Sequence, residues 1–285
     1  MEKIDIAFIG GSGLYEIPEI KNIKWTKVKT NFGVTSSEIG LSKIGDMSLA
    51  FLPRHGKCHK ISPTKINYRA NIEALKKIGV QNIVSLSAVG SLRKDFIPGD
   101  FVLVDQFIDK TYLRKKSFFD DDLVVHIPFA KPICSDLKKK IASSLKKLKI
   151  RFHENGTYIC IEGPQFSSLA ESELYRSWGC DVIGMTNMPE AKLAMEAGIC
   201  YASVSMVTDY DCWHPDHDEV SVDQIISTLN SNSKKATDLV THFCKNNKLE
   251  CNEKIKSLSK NSIITDLSKV KKSTKEKLKN IIKDL

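Results

Sequence analysis

Two patterns of apolar residues take turns along this chain: short unbroken runs, and runs spaced at three and four residues. The first marks buried strands and the second amphipathic helices. Ile4–Ile9 is apolar apart from Asp5 and runs into Gly10-Gly11-Ser12-Gly13, a buried strand entering a glycine loop. Residues 21–52 mix short apolar runs with Gly33, Gly40 and Gly45, which predicts hairpin-type strands. Ser62-Pro63 has the form of an N-cap followed by proline at the first helical position. The helix it opens is expected to reach about Ile78, with Ile66, Ala70, Ala74 and Ile78 on one face and Gly79 stopping it. Asn82–Val89 is expected to be a buried strand ending at Gly90, and after the turn at Pro98-Gly99-Asp100 another strand is expected over Phe101–Ile108. Further strands are expected near 157–161, 181–184 and 201–208, with helices near 134–148, 168–178, 189–198 and 221–246. Residues 247–272 are the most loop-like stretch, and Ser273–Leu285 sets Leu278, Ile281, Ile282 and Leu285 at helical spacing under a lysine-rich face.

Strands alternating with helices argue for an α/β fold. No internal repeat or low-complexity linker divides the chain. The expectation is therefore one domain, with residues 1–246 as its body and a basic helical extension over 247–285 that belongs to it.

Composition narrows the picture. A chain of 285 residues, 41% apolar and 27% charged, can bury a substantial core without disulfides. No stretch approaches the roughly 20 apolar residues of a membrane span. The opening MEKIDIAFIGG lacks the features of a signal peptide, so a cytoplasmic location is expected and no membrane partner. The eight cysteines are scattered with no C-x-x-C pair and read as reduced thiols. Of the net charge of +9, residues 246–285 supply +6 through eleven lysines against five acidic residues. A second basic cluster runs from Lys138 to Arg151. Neither is interleaved with aromatics as single-strand binders are, so both read as solvated faces and no nucleic-acid partner is expected.

Five constellations carry candidate chemistry. The loop Gly10–Gly13 is suited to cradle an anion with backbone N–H groups and the Ser12 hydroxyl, and is equally suited to be a plain tight turn. It is neither a Walker loop nor a dinucleotide fingerprint, since Glu16 stands where the third glycine belongs. Arg54-His55-Gly56 offers a guanidinium fork and an imidazole donor for phosphate oxygens, or a basic surface loop. His55 and His59 have metal-ligand spacing for a helix, but Gly56 and Pro63 argue against a helix there and no carboxylate completes a site, so no metal is expected. Ser87-Ala88-Val89-Gly90-Ser91 places small hydroxyl residues at a strand end, where open α/β sheets bind ligands and where core packing is the alternative. In Glu162-Gly163-Pro164-Gln165-Phe166-Ser167, Phe166 is suited to stack on a flat base or to fill a core. Met185 and Thr186 follow closely, suited to a ribose ring and to phosphate. In Thr208-Asp209-Tyr210-Asp211, an extended backbone would point both carboxylates to one face, where mutual repulsion would raise one pKa. A protonated and an ionised aspartate together match the N7 acceptor and 6-amino donor of adenine. Solvated turn carboxylates are the alternative, and a calcium loop lacks its remaining ligands.

Read together, IGGSGLY (9–15), PRHGKCHKISPTKINYRANIEALKKIGV (53–80), SAVGSL (87–92), PGDFVLVDQFIDKT (98–111), GTYICIEGPQFSS (156–168) and GMTNMPEAKLAMEAGICYASVSMVTDYDCW (184–213) resemble the 5'-methylthioadenosine phosphorylases of the trimeric purine-nucleoside-phosphorylase family. The resemblance covers roughly residues 4–245. It implies a single phosphorylase domain with a central, barrel-like mixed sheet flanked by helices, and a homotrimer with sites near subunit boundaries. It implies that Ser12, Arg54, His55, Ser87, Ala88 and Thr186 hold phosphate, and that Phe166 and Met185 hold base and ribose. Ser167, Asp209 and Asp211 would read the purine, His126 would lie near the 5' end of the nucleoside, and Val222 with Ile225 would wall the methylthio group.

The implied reaction is phosphorolysis of 5'-methylthioadenosine to adenine and 5-methylthioribose 1-phosphate, a step of purine and methionine salvage. It needs no cofactor, inorganic phosphate being a co-substrate. The alternative is a purine nucleoside phosphorylase acting on adenosine or on 6-oxopurine nucleosides, whose 6-oxo group needs a donor where Asp209 and Asp211 offer acids. Two features depart from the resemblance: Leu169 stands where the family often has Arg, so a structural ion pair is expected to be missing, and the tail beyond about 246 matches no pattern of the family.

Overall fold

The computed structural model describes residues 4–11, 23–119, 122–215, 222–250 and 252–283, the side chains of 222–227 and 229 excepted. In chain order the elements are β1 (Ile6–Gly10), β2 (Lys24–Thr26), β3 (Ile39–Ile44), β4 (Met47–Pro53), α1 (Tyr68–Lys77), β5 (Asn82–Ser91), β6 (Phe101–Leu103), β7 (Gln106–Asp109), α2 (Ser135–Lys147) and β8 (Phe152–His153). They continue with β9 (Thr157–Cys160), α3 (Leu169–Ser177), β10 (Val182–Gly184), α4 (Asn187–Glu196), β11 (Cys200–Asp209), α5 (Val222–Asn246), α6 (Glu253–Lys256) and α7 (Lys272–Leu278).

All the described strands join one mixed sheet. β1, with every residue buried, runs parallel between β4 and β5, registering Ala7 with Ala50 on one side and with Ile83 on the other. A strand buried on both faces reads as an unbroken apolar run, which is why Ile6–Ile9 carries no alternation. β5 is the hub. One edge pairs with β11 over nearly its whole length, while the other pairs with β1 near its start and with antiparallel β10 at Gly90 and Ser91.

The expected strand over Phe101–Ile108 is two strands, because its halves have different partners. β6 pairs with β11 and β8, whereas β7 pairs with β9. That break closes a circuit: β5 to β11, to β6, along the chain into β7, then through β9 and β10 back to β5. The barrel-like character thus comes partly from hydrogen bonds and partly from covalent continuity between β6 and β7.

Four other expectations are corrected. Ser62-Pro63 opens only a single 3₁₀ turn, Pro63–Lys65, after which Ile66 is extended with φ −61° and ψ 128°. α1 starts at Tyr68 because Asn67 caps it, its side chain accepting from the Ala70 N–H at 3.1 Å. β5 continues through Gly90 to Ser91, since β10 supplies a partner there. The C-terminal helix α7 ends at Leu278, yet Leu278, Ile281 and Ile282 are buried in the same core cluster as Ile72 and Leu75 of α1. Residues 253–256, expected in a loop, form α6. The segment is also tied by Ser259 Oγ donating to the Glu196 carbonyl at 2.6 Å and by Asn280 Nδ2 donating to Glu73 at 2.9 Å. No helix among the described residues is long and apolar enough to cross a membrane.

Candidate active site

Parallel strands β1, β4, β5 and β11 present their carboxyl ends on one side, and a cavity of ≈ 280 Å³ opens there. β1 brings Gly11, the turn after β4 brings Arg54 and His55, β5 brings Ser87 to Gly90, and β11 brings Thr208 and Asp209. The opposite wall comes from the segments after β9 and β10, which bring Phe166 and Ser167, and Gly184, Met185 and Thr186. Sequence-distant residues of both expected subsites therefore line one space.

At one end stands Arg54. Its side chain is 1% exposed and pairs with Glu190 of α4, itself 2% exposed, through Nε at 2.8 Å and Nη2 at 3.1 Å. Nη2 also donates to Ser85 Oγ at 2.6 Å, and Nη1 contacts the Leu86 carbonyl at 3.3 Å. Burial opposes the cation, but Glu190 outweighs it, and the guanidinium is held above its ordinary pKa. The expected open fork is thus mostly engaged inside the protein. Arg54 lines the cavity as a charge fixed by its partners inside the protein. Ser87 Oγ is buried and meets no hydrogen-bond partner among the described residues, and the Thr186 side chain does not cap α4, although it stands at the N-cap. Buried polar groups normally have partners, so an unmatched hydroxyl beside a buried cation marks where an oxyanion fits.

His55 departs from expectation. Its Nδ1 lies 2.9 Å from the Ile61 carbonyl oxygen, and its ring is stacked on His59 with centroids 4.0 Å apart. Burial, then the neighbouring Arg54 charge, lowers its pKa to about 4. It is a neutral ring whose hydrogen is already engaged, rather than an added donor.

At the other end are the two acids, near each other but not for the expected reason. β11 ends at Asp209, and Asp211 follows in a left-handed conformation with φ +54°, so a turn rather than strand alternation aims it inward. Asp209 accepts from the Thr208 hydroxyl at 2.6 Å and from the Asp211 N–H at 2.8 Å. Burial still raises its pKa above the ordinary aspartate value. Burial is also the main cause raising Asp211, with the Asp209 charge a lesser one. Both carboxyls are therefore biased toward the protonated form chiefly by burial, not by mutual repulsion. Gly90 makes the arrangement possible: a Cβ there would lie 3.0 Å from Asp209 Oδ1 and 3.3 Å from Asp211 Cβ. Phe166 lines the same end at 50% exposure, and Ser167 Oγ is buried without a partner among the described residues.

Of the other expected site residues, Ala88 and Met185 line the cavity. His126 does not: it is exposed, and its N–H donates to the Ser262 carbonyl at 3.0 Å, which ties it to the C-terminal segment. Val222 and Ile225 fall at the start of α5, with side chains outside the described residues, as is Ser12. Leu169, 58% exposed, opens α3 behind a capping box formed by Ser168 and Glu171.

The sequence reading missed two buried ion pairs that shape the site. One is Glu190 beneath Arg54. Its signal is a carboxylate within the mostly apolar stretch MPEA of the helix NMPEAKLAME. The other is Arg114, whose Nε donates to Glu162 at 2.9 Å. Arg114 also donates to the carbonyls of Glu162 at 2.7 Å, Met185 at 2.7 Å and Met188 at 2.6 Å. It clamps together the two segments that carry Phe166 and Thr186. Burial pushes Glu162 up, but the N–H groups of Tyr112 and Leu113, the Thr64 hydroxyl and Arg114 hold its pKa at about 2. Nothing in Tyr112-Leu113-Arg114-Lys115-Lys116 distinguishes the buried cation from its neighbours.

Residues 5–245 match the model of the phosphorylase superfamily. The chain is 56% identical over 238 residues to S-methyl-5'-thioadenosine phosphorylase of Cereibacter sphaeroides, covering 84% of this chain and 82% of that one. It is similar in structure to a methylthioadenosine phosphorylase from an antarctic soil metagenomic library, with a TM-score of 0.93, 40% identity and coverage of 99% and 100%. It is also similar to a mutant adenosine/methylthioadenosine phosphorylase of Schistosoma mansoni solved in complex with methylthioadenosine, with a TM-score of 0.85, 32% identity and coverage of 91% and 98%.

Proposed function

Since the chain belongs to the phosphorylase superfamily, we propose that its cavity carries out the phosphorolysis of 5'-methylthioadenosine to adenine and 5-methylthioribose 1-phosphate. The observation that carries this reading is the convergence of Asp209 and Asp211 with Arg54, Ser87 and Thr186 on one cavity. A purine at the acid end and an oxyanion at the arginine end leave the ribosyl C1' between them.

The chemistry follows from the charges. As the bond from C1' to N9 breaks, the ribosyl centre becomes oxocarbenium-like and negative charge grows on the purine. A protonated Asp209 relieves that charge at N7. Asp211 accepts from the 6-amino group, and the Ser167 hydroxyl adds a further purine contact. Arg54, held rigid by Glu190, and the hydroxyls of Ser87 and Thr186 position the oxyanion with the Ala88 backbone. Phe166 covers the base and Met185 the ribose. No metal or organic cofactor enters, because the nucleophile is the second substrate.

The reading extends to assembly. His126 is exposed and does not line the cavity of its own chain, which supports its reaching a 5' group across a subunit boundary, as a homotrimer with boundary sites provides. The enzyme is placed in the cytoplasm, serving purine and methionine salvage. Residues 1–246 form the catalytic body, and the basic segment 247–285 is integral to the same domain through its buried Leu278, Ile281 and Ile282.

The deciding assay compares methylthioadenosine, adenosine and inosine with and without phosphate. Phosphate-dependent adenine release, fastest from the methylthio substrate, is expected. Faster turnover of inosine would favour the 6-oxopurine alternative, against which the two acids and the names of the relatives both weigh.

A further inference from the structure

The fold fixes the polarity of the imidazole at the phosphate end. A carbonyl oxygen has no hydrogen to give, so the 2.9 Å contact between His55 Nδ1 and the Ile61 carbonyl places the ring's hydrogen on Nδ1. Arg54 adjoins the ring and His59 lies flat against it, and burial with the Arg54 charge holds it neutral above about pH 4. In a neutral imidazole protonated at Nδ1, Nε2 is a bare lone pair. Among the described residues nothing donates to that nitrogen. The other groups at this end, Arg54 and the hydroxyls of Ser87 and Thr186, can all supply hydrogens.

An oxyanion bound here thus meets donors on several sides and one acceptor. Sulfate presents only lone pairs, and a lone pair facing Nε2 is repelled. Hydrogenphosphate carries one O–H, which satisfies that position. We propose that His55 Nε2 accepts the P–O–H hydrogen of hydrogenphosphate, so that the cavity selects an oxyanion bearing an acidic hydrogen over anions of like size and charge without one. The inference rests on the phosphorolysis reading and refines it, by turning an assumed donor into an acceptor that sets specificity.

The proton balance is consistent. A lone pair on a phosphate oxygen forms the bond to C1' while the electrons of the bond from C1' to N9 go to the purine, which takes its proton at N7 from Asp209. The proton held by His55 remains on phosphorus-bound oxygen, because the ring is too weak a base to remove it. Hydrogenphosphate, a dianion, and a neutral Asp209 become a singly charged sugar hydrogenphosphate and an ionised Asp209. After release, the sugar phosphate gives its proton to water and Asp209 regains one from water.

The test uses the full-length protein and four anions: phosphate, arsenate, sulfate and monofluorophosphate. Binding is measured by calorimetric titration without nucleoside, and inhibition against phosphate during phosphorolysis. Arsenate, which keeps an O–H, is expected within about threefold of phosphate, whereas sulfate and monofluorophosphate bind at least about tenfold more weakly, the scale of one charge-assisted hydrogen bond. His55→Phe keeps the stacking on His59 and removes Nε2. It is expected to raise the KM for phosphate about tenfold, change kcat less than about threefold and leave sulfate binding no weaker, so that discrimination collapses. Equal binding of sulfate and phosphate by the unaltered protein overturns the proposal, as does equal weakening of both in His55→Phe. If that variant does not fold, the anion series on the unaltered protein decides alone. Absence of adenine release would count against phosphorolysis, while the titrations would still judge His55.

Discussion

The two ends of the cavity treat buried charge in opposite ways. At one end, Arg54 is nearly inaccessible but has a carboxylate, a hydroxyl and a carbonyl against its guanidinium. At the other end, Asp209, half-buried, and Asp211, buried, lie against a hydroxyl and backbone N–H groups, with no cation in an ion pair with either among the described residues. The first arrangement fixes position: an ion pair made within the protein leaves a rigid, permanent positive end. The second fixes reactivity: burial without a counterion raises the pKa of a carboxylic acid, so that it holds a proton more readily and can deliver it when charge appears on a neighbour. The same burial locks the protonation state of one group and makes that of the other adjustable.

That contrast can be broken most sharply at Asp209. Replacing it with Asn keeps the shape and removes the transferable proton. Turnover of methylthioadenosine is expected to fall about 10²- to 10⁴-fold. Steady-state kinetics of adenine release measure it, and a variant within threefold of the parent would end the general-acid role. Glu190→Ala attacks the other end by leaving Arg54 buried and unpaired. A loss of about 3–5 kcal/mol in urea unfolding is expected, with a raised phosphate KM in whatever remains folded. Phe166→Ala probes a residue that is half exposed, so thermal melting should hardly move. The nucleoside KM should rise about three- to tenfold, the scale of one aromatic contact.

The smallest effect tests sign. Asp209 has a folded pKa above its unfolded one, so the folded state binds the extra proton and stability falls as pH climbs from the ordinary aspartate range, near about 4, through the raised value. Glu162 is the reverse: held at about 2 against an ordinary 4.5, it contributes stability that is complete above 4.5 and lost as pH falls toward 2. Urea midpoints followed against pH should therefore flatten above about 4 in Asp209→Asn, and below 4.5 in Glu162→Gln. Parallel curves for the two variants would remove the distinction between the ends.

Much of this is legible in the amino-acid sequence. The unbroken run Ile6–Ile9 and the long apolar stretch from Asn82 announced the central parallel strands, because strands buried on both faces tolerate few polar residues. Arg54, Ser87, Phe166 and Asp209 stood out because each pairs a reactive or stacking group with a turn or a strand end. The site's supports were less visible. Arg114 is one cation among several in its stretch, and Glu190 one acid in a helix.

The sequence by itself determined the alternation of strands and helices, the strand ends that carry the cavity-lining residues and the presence of two neighbouring acids, since all are local properties of side chains and their spacing. Only the tertiary structure decided that Arg54 faces Glu190, that His55 Nδ1 meets the Ile61 carbonyl and that burial rather than repulsion raises Asp209. Those outcomes depend on which distant backbone and side-chain groups lie within a few ångströms, and spacing along a chain carries no such information.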